Sequence, residues 1–443
     1  MLNRLWASKN RRSISGLVSV SLVAAAISLL SSIVLARVLG ISQYGVYVYL
    51  LSAAGLTGSI ATLGLPTLVL RQVSAWRETS QWGLFRGIIK FSITAGIFSS
   101  LFLGALLLAS GPFLGKIRQS EDFMPALFLS VGIMLCTSLD QIIEGALQGM
   151  HIIARSQIPR TIIVPSCVLL FAIIARNTLL ITTKRILIVQ CIVGLMALFY
   201  LLNQLRAAIP DAARLEAPVM QPRQWLLEAF PFLGNGIMFL INTQVDTLLI
   251  GYFKGERSAA VYTVGTRGAQ MLILVLGAIV TAMQPRMAAL SASGDNTALA
   301  RLVTRTSRAG FGVAFAGAAF FVAFGAPLIS ILYGKSYVTA SAVLSILAIC
   351  RLAHASTGSL GAYMSMTGKQ HLLLQALTGE ALANVLLNFL LIPRWGIYGA
   401  AFATGISMAS MNIGLTIYVR WRWGMDASIF GRHSAPRHAP QPL

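Results

Sequence analysis

Six ionisable side chains stand inside long apolar stretches of this sequence, where a charge is costly to keep. They are Asp140, Glu144, Asp246, Arg267, Arg351 and Glu380. Placing such a group at the centre of a bilayer costs about 2.5–3.5 kcal/mol on insertion scales, so retained charges usually face a water-filled cavity or one another. The carboxylates could hold a proton or a cation, and the arginines could hold an anion.

The arginines have the chemistry of a phosphate site. A guanidinium group offers a planar fork of donors that matches phosphate oxygens and stays charged at any working pH. Arg267 and Arg351 are therefore candidates to contact a phosphate-bearing substrate. The alternative for both is a structural ion pair with a carboxylate in another span. Arg71, Arg286 and Arg37 stand at the ends of predicted spans, where they either meet an anionic headgroup or only fix orientation.

The carboxylates leave more than one interpretation open. Asp246 is the only charged residue between Phe232 and Phe253. It either pairs with a cavity arginine or binds a proton or cation whose occupancy shifts a conformational equilibrium. Asp140 and Glu144 are four residues apart and share one helix face, so they either bind a cation, are hydrated near a span end, or pair with Arg155.

Glu380 is the last of the six, and it has no oppositely charged residue in its own span. A buried role follows from its position, but the sequence does not specify which role. We therefore group it with the other carboxylates as a candidate for ion coupling or ion pairing.

Other kinds of chemistry find no support in the sequence. No glycine-rich loop followed by lysine is present, so an ATPase signature is missing. The five histidines have no metal-ligand spacing. The four cysteines lie in apolar runs and are expected to be small buried hydrophobic residues. We expect no metal, no cofactor and no enzymatic activity.

The composition places these side chains in a membrane protein. The chain has 443 residues, of which 56% are hydrophobic and 11% charged, and its mean hydropathy is +0.76. A soluble chain carries about 25% charged residues. Stretches of about 20 apolar residues are long enough to cross a bilayer as helices, whereas barrel strands are about half as long and alternate in polarity. The expected fold class is all-α, a polytopic membrane protein.

Twelve candidate spans follow from the apolar runs. They are 14–36, 44–70, 88–110, 123–147, 159–176, 186–205, 228–251, 260–285, 309–332, 339–366, 371–392 and 397–419. The fifth is the weakest, because it contains Pro159 and Pro165. The first is too long for a signal-peptide core and is expected to stay uncleaved.

Basic residues predict the orientation. With both termini in the cytoplasm, about twice as many Lys and Arg residues lie on the cytoplasmic side as on the other. The loop at 176–185 is an exception, because it is basic although the predicted topology places it on the non-cytoplasmic side. The net charge of +21 is spread over short loops, so it favours membrane orientation and we expect no nucleic acid partner.

The longest interior loop divides the chain into two halves of six spans each. We expect an N-terminal half at 1–205, a cytoplasmic linker at 206–224, a C-terminal half at 225–423 and a disordered cytoplasmic tail at 424–443. The two halves contain similar sequences at equivalent places: "GISQYGVYVY" begins at Gly40, and "GERSAAVYTV" begins at Gly255. Such a parallel repeat predicts a central site between the halves.

Several stretches together resemble a known family. "VLARVLGISQYGVY" (34–47) and "LGLPTLVLRQVS" (63–74) form an opening signature, and "VDTLLIGYFKGERSAAVY" (245–262), "ILYGKSYVTASAVLSIL" (331–347) and "LIPRWGIYGAAFAT" (391–404) follow. In this order they resemble the polysaccharide-exporting (Wzx-type) flippases of the multidrug/oligosaccharidyl-lipid/polysaccharide (MOP) superfamily. The resemblance covers residues 13–422.

This resemblance implies two six-helix bundles around a central cavity. It implies a glycan on polyprenyl pyrophosphate as substrate, moved from the inner to the outer leaflet by alternating access. Arg267 corresponds by span to a cavity arginine of the eighth span in relatives. Relatives that move the peptidoglycan precursor carry arginines deep in spans one and two. Here Arg37 lies at the end of span one and Arg71 at the end of span two, which argues against that substrate.

The biological setting implied is export of O-antigen (lipopolysaccharide), capsule or exopolysaccharide across the cell inner membrane. The expected partners are the lipid-linked glycan, membrane lipids, and polysaccharide polymerase and chain-length machinery. Two alternatives stay open: a cation-coupled multidrug exporter of the same superfamily, and a polytopic polysaccharide polymerase or ligase. The short outer loops argue against the enzyme.

Overall fold

A computed structural model describes residues 2–114, 123–177, 181–293, 295–356, 360–366, 370–423 and 429. Within these ranges the chain is helical and forms no strand. The expected all-α class is therefore confirmed. The predicted tail at 424–443 lies outside the described residues except for Ile429.

The helices have the following bounds in chain order. They are α1 (Leu2–Ala61), α2 (Leu65–Glu78), α3 (Trp82–Ser110), α4 (Phe123–Gly149), α5 (Ile153–Ile158), α6 (Val164–Ile174), α7 (Thr183–Ala208), α8 (Asp211–Leu215), α9 (Pro222–Lys254), α10 (Glu256–Ala292), α11 (Asn296–Tyr333), α12 (Ala340–Ser356), α13 (Leu360–Met366) and α14 (Gln370–Trp423).

Two of the longest helices are each divided by a glycine. Gly40 in α1 has φ 71° and Gly396 in α14 has φ 57°, so each interrupts the helical backbone. Gly255, with φ 84°, separates α9 from α10. Side chains disfavour this region of φ, whereas glycine enters it freely. Each of these glycines therefore joins two consecutive spans without an intervening loop.

The helices account for the predicted spans. Eight helical segments in the described part of the chain are long and apolar enough to cross a membrane. Division of two of them at Gly40 and Gly396 gives ten, and α10 and the α12–α13 pair supply two more. Large apolar side chains such as Phe98, Phe128 and Phe315 point outward, as expected for helices in lipid.

The fifth span is helical but irregular. Between α5 and α6 the chain forms one π-helical turn, Pro159–Ile163. Prolines 159 and 165 lack the amide hydrogens that a regular α-helix would use here. The carbonyl oxygen of Pro165 accepts a hydrogen bond from Ser31 Oγ at 3.2 Å. The two prolines thus alter the span without ending it.

The chain forms two compact units, Met1–Leu240 (unit 1) and Ile241–Leu443 (unit 2). The boundary falls inside α9, so this helix begins in one unit and ends in the other. Unit 1 packs α2, α3, α4, α7 and the start of α9 around buried apolar residues such as Val69, Phe85 and Trp225. Unit 2 has a core on α10, α11, α13 and α14 that includes Met287, Val303 and Tyr363.

The segment before α9 is attached to unit 1. The amide of Val219 donates to the carbonyl of Gly83 at 2.9 Å. Arg86 Nη1 donates to the carbonyls of Arg214 and Glu216. A side chain at Gly87 would collide with the Val219 carbonyl, so the close approach requires glycine. The segment before α9 therefore packs against α3.

Candidate functional site

A buried carboxylate in unit 2 lies at the centre of a polar cluster. Asp246 on α9 is 7% exposed. Its Oδ2 accepts hydrogen bonds of 2.5 Å from the hydroxyls of Tyr262 on α10 and Thr404 on α14. Its Oδ1 accepts a 2.7 Å hydrogen bond from Asn388 Nδ2, also on α14. Three neutral donors from two other helices thus stabilise one carboxylate.

A fifth residue extends this arrangement. Asn388 Nδ2 also donates to Asn384 Oδ1 at 3.0 Å, and Asn384 Nδ2 donates to Thr404 Oγ1 at 3.3 Å. Asn384 and Asn388 stand one helical turn apart before Gly396, and Thr404 follows it. We name the five residues the Asp246 cluster: Asp246, Tyr262, Asn384, Asn388 and Thr404. The break at Gly396 lets both halves of α14 contribute to it.

The charge of Asp246 is balanced without an arginine. Among the described residues no Lys, Arg or His lies within ion-pair distance of its carboxylate. The predicted pairing with a cavity arginine is therefore not observed, because hydroxyl and amide donors occupy both oxygens. A role of Asp246 in ion coupling stays a prediction.

The cluster offers oxygen atoms for a hard cation or a proton. Asn388 Oδ1 is buried and has no hydrogen-bond partner among the described residues. Carboxylate, amide and hydroxyl oxygens are the ligands that hard cations prefer. No group of three or more His, Cys, Asp or Glu with metal-binding geometry occurs in the described part of the chain. A single carboxylate with neutral oxygens suits a monovalent ion better than a transition metal.

Arg351 is a second charged side chain in unit 2, and it is partly buried. Its Nη1 lies 3.7 Å from the sulfur of Met408, and its Nε has no hydrogen-bond partner among the described residues. The charges of Arg351 and Glu380 interact electrostatically without forming a close ion pair. Glu380 lines a cavity of about 450 Å³ between the two halves of α14. The charge that acts on Glu380 is thus that of Arg351 on α12, which the sequence of its own span could not reveal.

Arg267 and Arg286 are both on α10, at different depths. Arg267 is partly buried and stands five residues after Tyr262 on that helix, and Arg286 is exposed. The structure therefore brings Tyr262 of α10 into the Asp246 cluster, and it places Arg286 outside any described polar cluster. A substrate role for either arginine stays a prediction.

The two carboxylates of α4 are buried in unit 1. Glu144 forms an ion pair with Arg160, whose Nε lies 3.1 Å from Oε1 and whose Nη2 lies 3.3 Å from Oε2. The partner is thus Arg160 on the π-helical turn, and the predicted pairing with Arg155 is wrong. Asp140 is 2% exposed, and its Oδ1 has no hydrogen-bond partner among the described residues. Neither carboxylate is simply hydrated near a span end.

Arg71 is held by the start of α9. Its Nη2 lies 2.7 Å from Glu228 Oε2, and its guanidinium carbon lies 5.8 Å from the ring centre of Phe232. Gln72 and Gln224 also donate to Glu228. Arg37 lines a separate cavity in unit 1 together with Arg176. Within unit 1, Arg71 and Arg37 therefore have separate surroundings.

Sequence reasoning missed four members of the Asp246 cluster. Tyr262 is buried, as are Tyr44, Tyr47 and Tyr49, although aromatic residues near span ends are typical of the membrane interface. The position of Tyr262 near the start of its span therefore gave no sign of its place in the cluster. A signal for the others existed: Asn384 and Asn388 stand four residues apart in an otherwise apolar run.

An all-α chain with this many helices long and apolar enough to cross a membrane is a polytopic membrane protein. Residues 11–291 match the family model for polysaccharide biosynthesis proteins, and residues 231–390 match the MatE model. The first match covers more than half of the chain, so the chain belongs to the polysaccharide biosynthesis protein family. The predicted resemblance to the polysaccharide-exporting MOP flippases is thereby confirmed.

A curated relative is the probable flippase AglR of Haloferax volcanii. The two are 26% identical over 189 residues, which is 40% of this chain and 37% of AglR. The match therefore spans well under half the length of that relative.

Solved structures share the fold over almost the whole chain. An inward-facing multidrug resistance MATE family transporter of the MOP superfamily has a TM-score of 0.75 and covers 92% of this chain and 98% of its own, at 14% identity. The lipid II flippase MurJ, in an inward closed conformation, has a TM-score of 0.72 and covers 91% and 87%, at 14% identity. At these identities the likeness establishes the fold alone.

Proposed function

We propose that this chain is a flippase for lipid-linked oligosaccharides. It moves polyprenyl-pyrophosphate glycans from the inner to the outer leaflet by alternating access, for export of O-antigen, capsule or exopolysaccharide. The observation that carries this proposal is the family match over residues 11–291. The names of AglR and MurJ, both flippases, support it.

The pyrophosphate is bound by arginines in this proposal. Arg351 supports the assignment, because its Nε is buried without a protein acceptor among the described residues and has capacity for an anionic one. Arg267 is assigned by its span and its partly buried position. Arg71 and Arg286 meet the headgroup at the predicted cytoplasmic side.

The Asp246 cluster is the coupling site. The carboxylate is buried and held only by neutral donors among the described residues, so a proton or Na⁺ can neutralise it without displacing an arginine. A bound ion competes with the donors from α10 and α14. Ion occupancy thereby changes how these helices are held against α9 and shifts the conformational equilibrium.

The setting of the proposal is the cell inner membrane with both termini in the cytoplasm. Membrane lipids surround the spans, and a polysaccharide polymerase with its chain-length machinery receives the translocated glycan. The chain moves its substrate without changing covalent bonds, which separates it from the alternative polymerase or ligase.

Leaflet-resolved transport tests this function. Purified protein in liposomes receives a defined polyprenyl-pyrophosphate glycan on one leaflet, and arrival on the other is followed with a membrane-impermeant glycan-modifying reagent. Wild type is expected to move the lipid intact, and Arg267→Ala to slow transport by about tenfold or more. Arg257→Ala, an exposed arginine of unit 2, serves as the matched control. Transport at the rate of empty liposomes would refute the proposal.

A second candidate is cation-coupled multidrug export. The MatE match over residues 231–390 and the MATE family neighbour favour it. Efflux of a cationic dye from the same liposomes distinguishes the two. Dye export without glycan transport would select the exporter.

A further inference from the structure

A second basic site lies in unit 1, away from the residues assigned above except for Arg37. A cavity of about 540 Å³ is formed where the first half of α1 ends and the fifth span ends. Arg37 of α1 and Arg176 of the turn after α6 both line it. The first and fifth spans run in the same direction, so two guanidinium groups reach one cavity at the same end of unit 1.

The remaining wall of this cavity is aliphatic. Ile33, Val34 and Val38 come from α1, and Ile173 and Ile181 come from either side of Arg176. No carboxylate is among these lining residues, so the described wall carries a formal charge of +2 and five branched apolar side chains. Two guanidinium groups that line one cavity can both donate to the oxygens of one bound phosphate.

The wall has a basic part, formed by the two arginines, and an aliphatic part, and together they favour an amphiphilic ligand. Guanidinium groups bind phosphate oxygens in bidentate fashion, whereas isoleucine and valine favour hydrocarbon over a hydrated ion. Basic pockets between helices on the cytoplasmic side of membranes bind anionic lipid headgroups through the same contacts, and those contacts do not depend on the side. Ile173 is 52% exposed and Ile174 is 70% exposed, so the cavity continues into an apolar surface. A phosphate on an aliphatic chain fits both parts, and a free phosphate fits only one.

We propose that Arg37 and Arg176 form a binding site for the phosphate headgroup of a lipid. The site lies at the end of unit 1 that the basic-residue bias places outside the cytoplasm. The headgroup could come from the translocated polyprenyl-pyrophosphate lipid or from a bilayer phospholipid. The first source rests on the proposed flippase function, and the second does not.

Site-specific photocrosslinking tests this assignment. p-Benzoylphenylalanine at position 173 places the reactive group in the cavity wall. The full chain in nanodiscs of phosphatidylcholine is supplied with phosphatidylglycerol or with farnesyl pyrophosphate, and the captured lipid is identified by mass spectrometry. We expect either anionic lipid to be captured in preference to phosphatidylcholine. The anionic lipid that is captured more strongly identifies the source of the headgroup. Inorganic pyrophosphate in excess is expected to reduce capture.

A variant with Arg37→Gln and Arg176→Gln carries the same label at position 173. We expect these two substitutions to lower anionic-lipid capture by roughly tenfold or more. Arg257→Gln, an exposed arginine that does not line the cavity, is expected to leave capture unchanged. Arg37→Lys keeps the charge and guards against misfolding, so it should retain part of the capture. No preference for anionic lipid in wild type, or equal capture in the double variant, overturns the site.

The transport assay separates this inference from the proposed function. Phosphatidylglycerol capture with no glycan transport would keep the site and refute the flippase. Glycan transport with no anionic-lipid preference at position 173 would keep the flippase and refute the site.

Discussion

Asn388 donates its side-chain amide to the Asp246 carboxylate at 2.7 Å, although the two residues are 142 positions apart in the chain. Both side chains are buried, so this hydrogen bond fixes the first half of α14 against α9 without help from solvent. Removal of one partner from a buried hydrogen bond leaves the other unsatisfied, which costs about 1–3 kcal/mol. The pair is therefore both a structural tie and the centre of the proposed coupling site.

Asp246→Asn removes the charge while keeping the size of the side chain. We expect ion-driven transport to fall by about tenfold or more, because a neutral amide does not take up a proton and lacks the negative charge that attracts Na⁺. Transport under an imposed proton or Na⁺ gradient measures this directly, and the melting temperature in detergent reports folding. A variant that still responds to the same gradient would remove Asp246 from the coupling role.

Tyr262→Phe deletes one donor to the carboxylate and leaves the ring in place. The free energy of unfolding should fall by about 1–3 kcal/mol, and the ion dependence of transport should change. Tyr47→Phe is a matched control, because Tyr47 is also buried but donates to Gln190 in unit 1 at 3.0 Å. The control is expected to lose stability and keep the ion dependence. Identical ion dependence in both variants would contradict the assignment.

Arg160→Gln and Glu144→Gln should differ in their effect on stability. The Glu144 side chain is 5% exposed and that of Arg160 is 42% exposed, so only the carboxylate is left without solvent when its partner is removed. We expect Arg160→Gln to lower the free energy of unfolding by about 1–3 kcal/mol. This loss is smaller than that for a fully buried ion pair, because Arg160 reaches the surface and solvent screens its charge. Glu144→Gln should cost less.

A double-mutant cycle on the melting temperature checks this difference. The variant with both substitutions is expected to resemble Glu144→Gln alone, since no buried charge is then left unpaired. Equal effects of the two single substitutions would mean that the burial of Glu144 has no energetic consequence.

Gly64→Ala should weaken the packing of α9 against unit 1. Gly64 has φ 72°, and an added side-chain carbon would lie 2.5 Å from the Ala229 carbonyl oxygen and the Leu233 amide nitrogen. We expect a loss of at least about 2 kcal/mol, from backbone strain and the collision together. Thermal unfolding in detergent measures the loss.

Gly55→Ala is the matched control for that substitution. Gly55 is helical, and an added side-chain carbon would meet no atom within 4 Å. Alanine there should be neutral or stabilise by up to about 1 kcal/mol, because it favours the helix. A Gly64→Ala protein as stable as this control would show that the contact with α9 is dispensable.

The internal sequence repeat is matched in the structure by the contacts of two tyrosines. Tyr47 and Tyr262 follow Gly40 and Gly255 by the same seven positions. Tyr47 donates to Gln190, 143 positions away on the sixth span. The hydroxyl of Tyr262 lies 3.4 Å from that of Thr404, 142 positions away on the twelfth. The corresponding tyrosines thus reach corresponding spans within their own units.

The repeat is not symmetric in charge. Shifted by the same interval, Asp246 corresponds to Ser31, whose hydroxyl donates to the carbonyl of Pro165. Unit 1 therefore has a neutral hydroxyl where unit 2 has a carboxylate. Of these two corresponding residues, only Asp246 can carry a negative charge.

The sequence by itself determined the class of protein and the course of the spans. Apolar length decides which segments cross a bilayer, because an unpaired backbone cannot be left in hydrocarbon, and this is a local property. Gly40, Gly255 and Gly396 fall in the short gaps between predicted spans, and the structure gives each a positive φ, a backbone region that a residue without a side chain enters at no cost.

Tertiary structure alone decided which polar groups meet. Asp246 finds its donors 16 to 158 positions away, and Glu144 finds Arg160 instead of Arg155. Partner choice inside a membrane depends on which helix faces pack together, and no periodicity within one span encodes that. The environment of Asp246 is a product of packing, because its donors come from the next helix, α10, and from the distant α14.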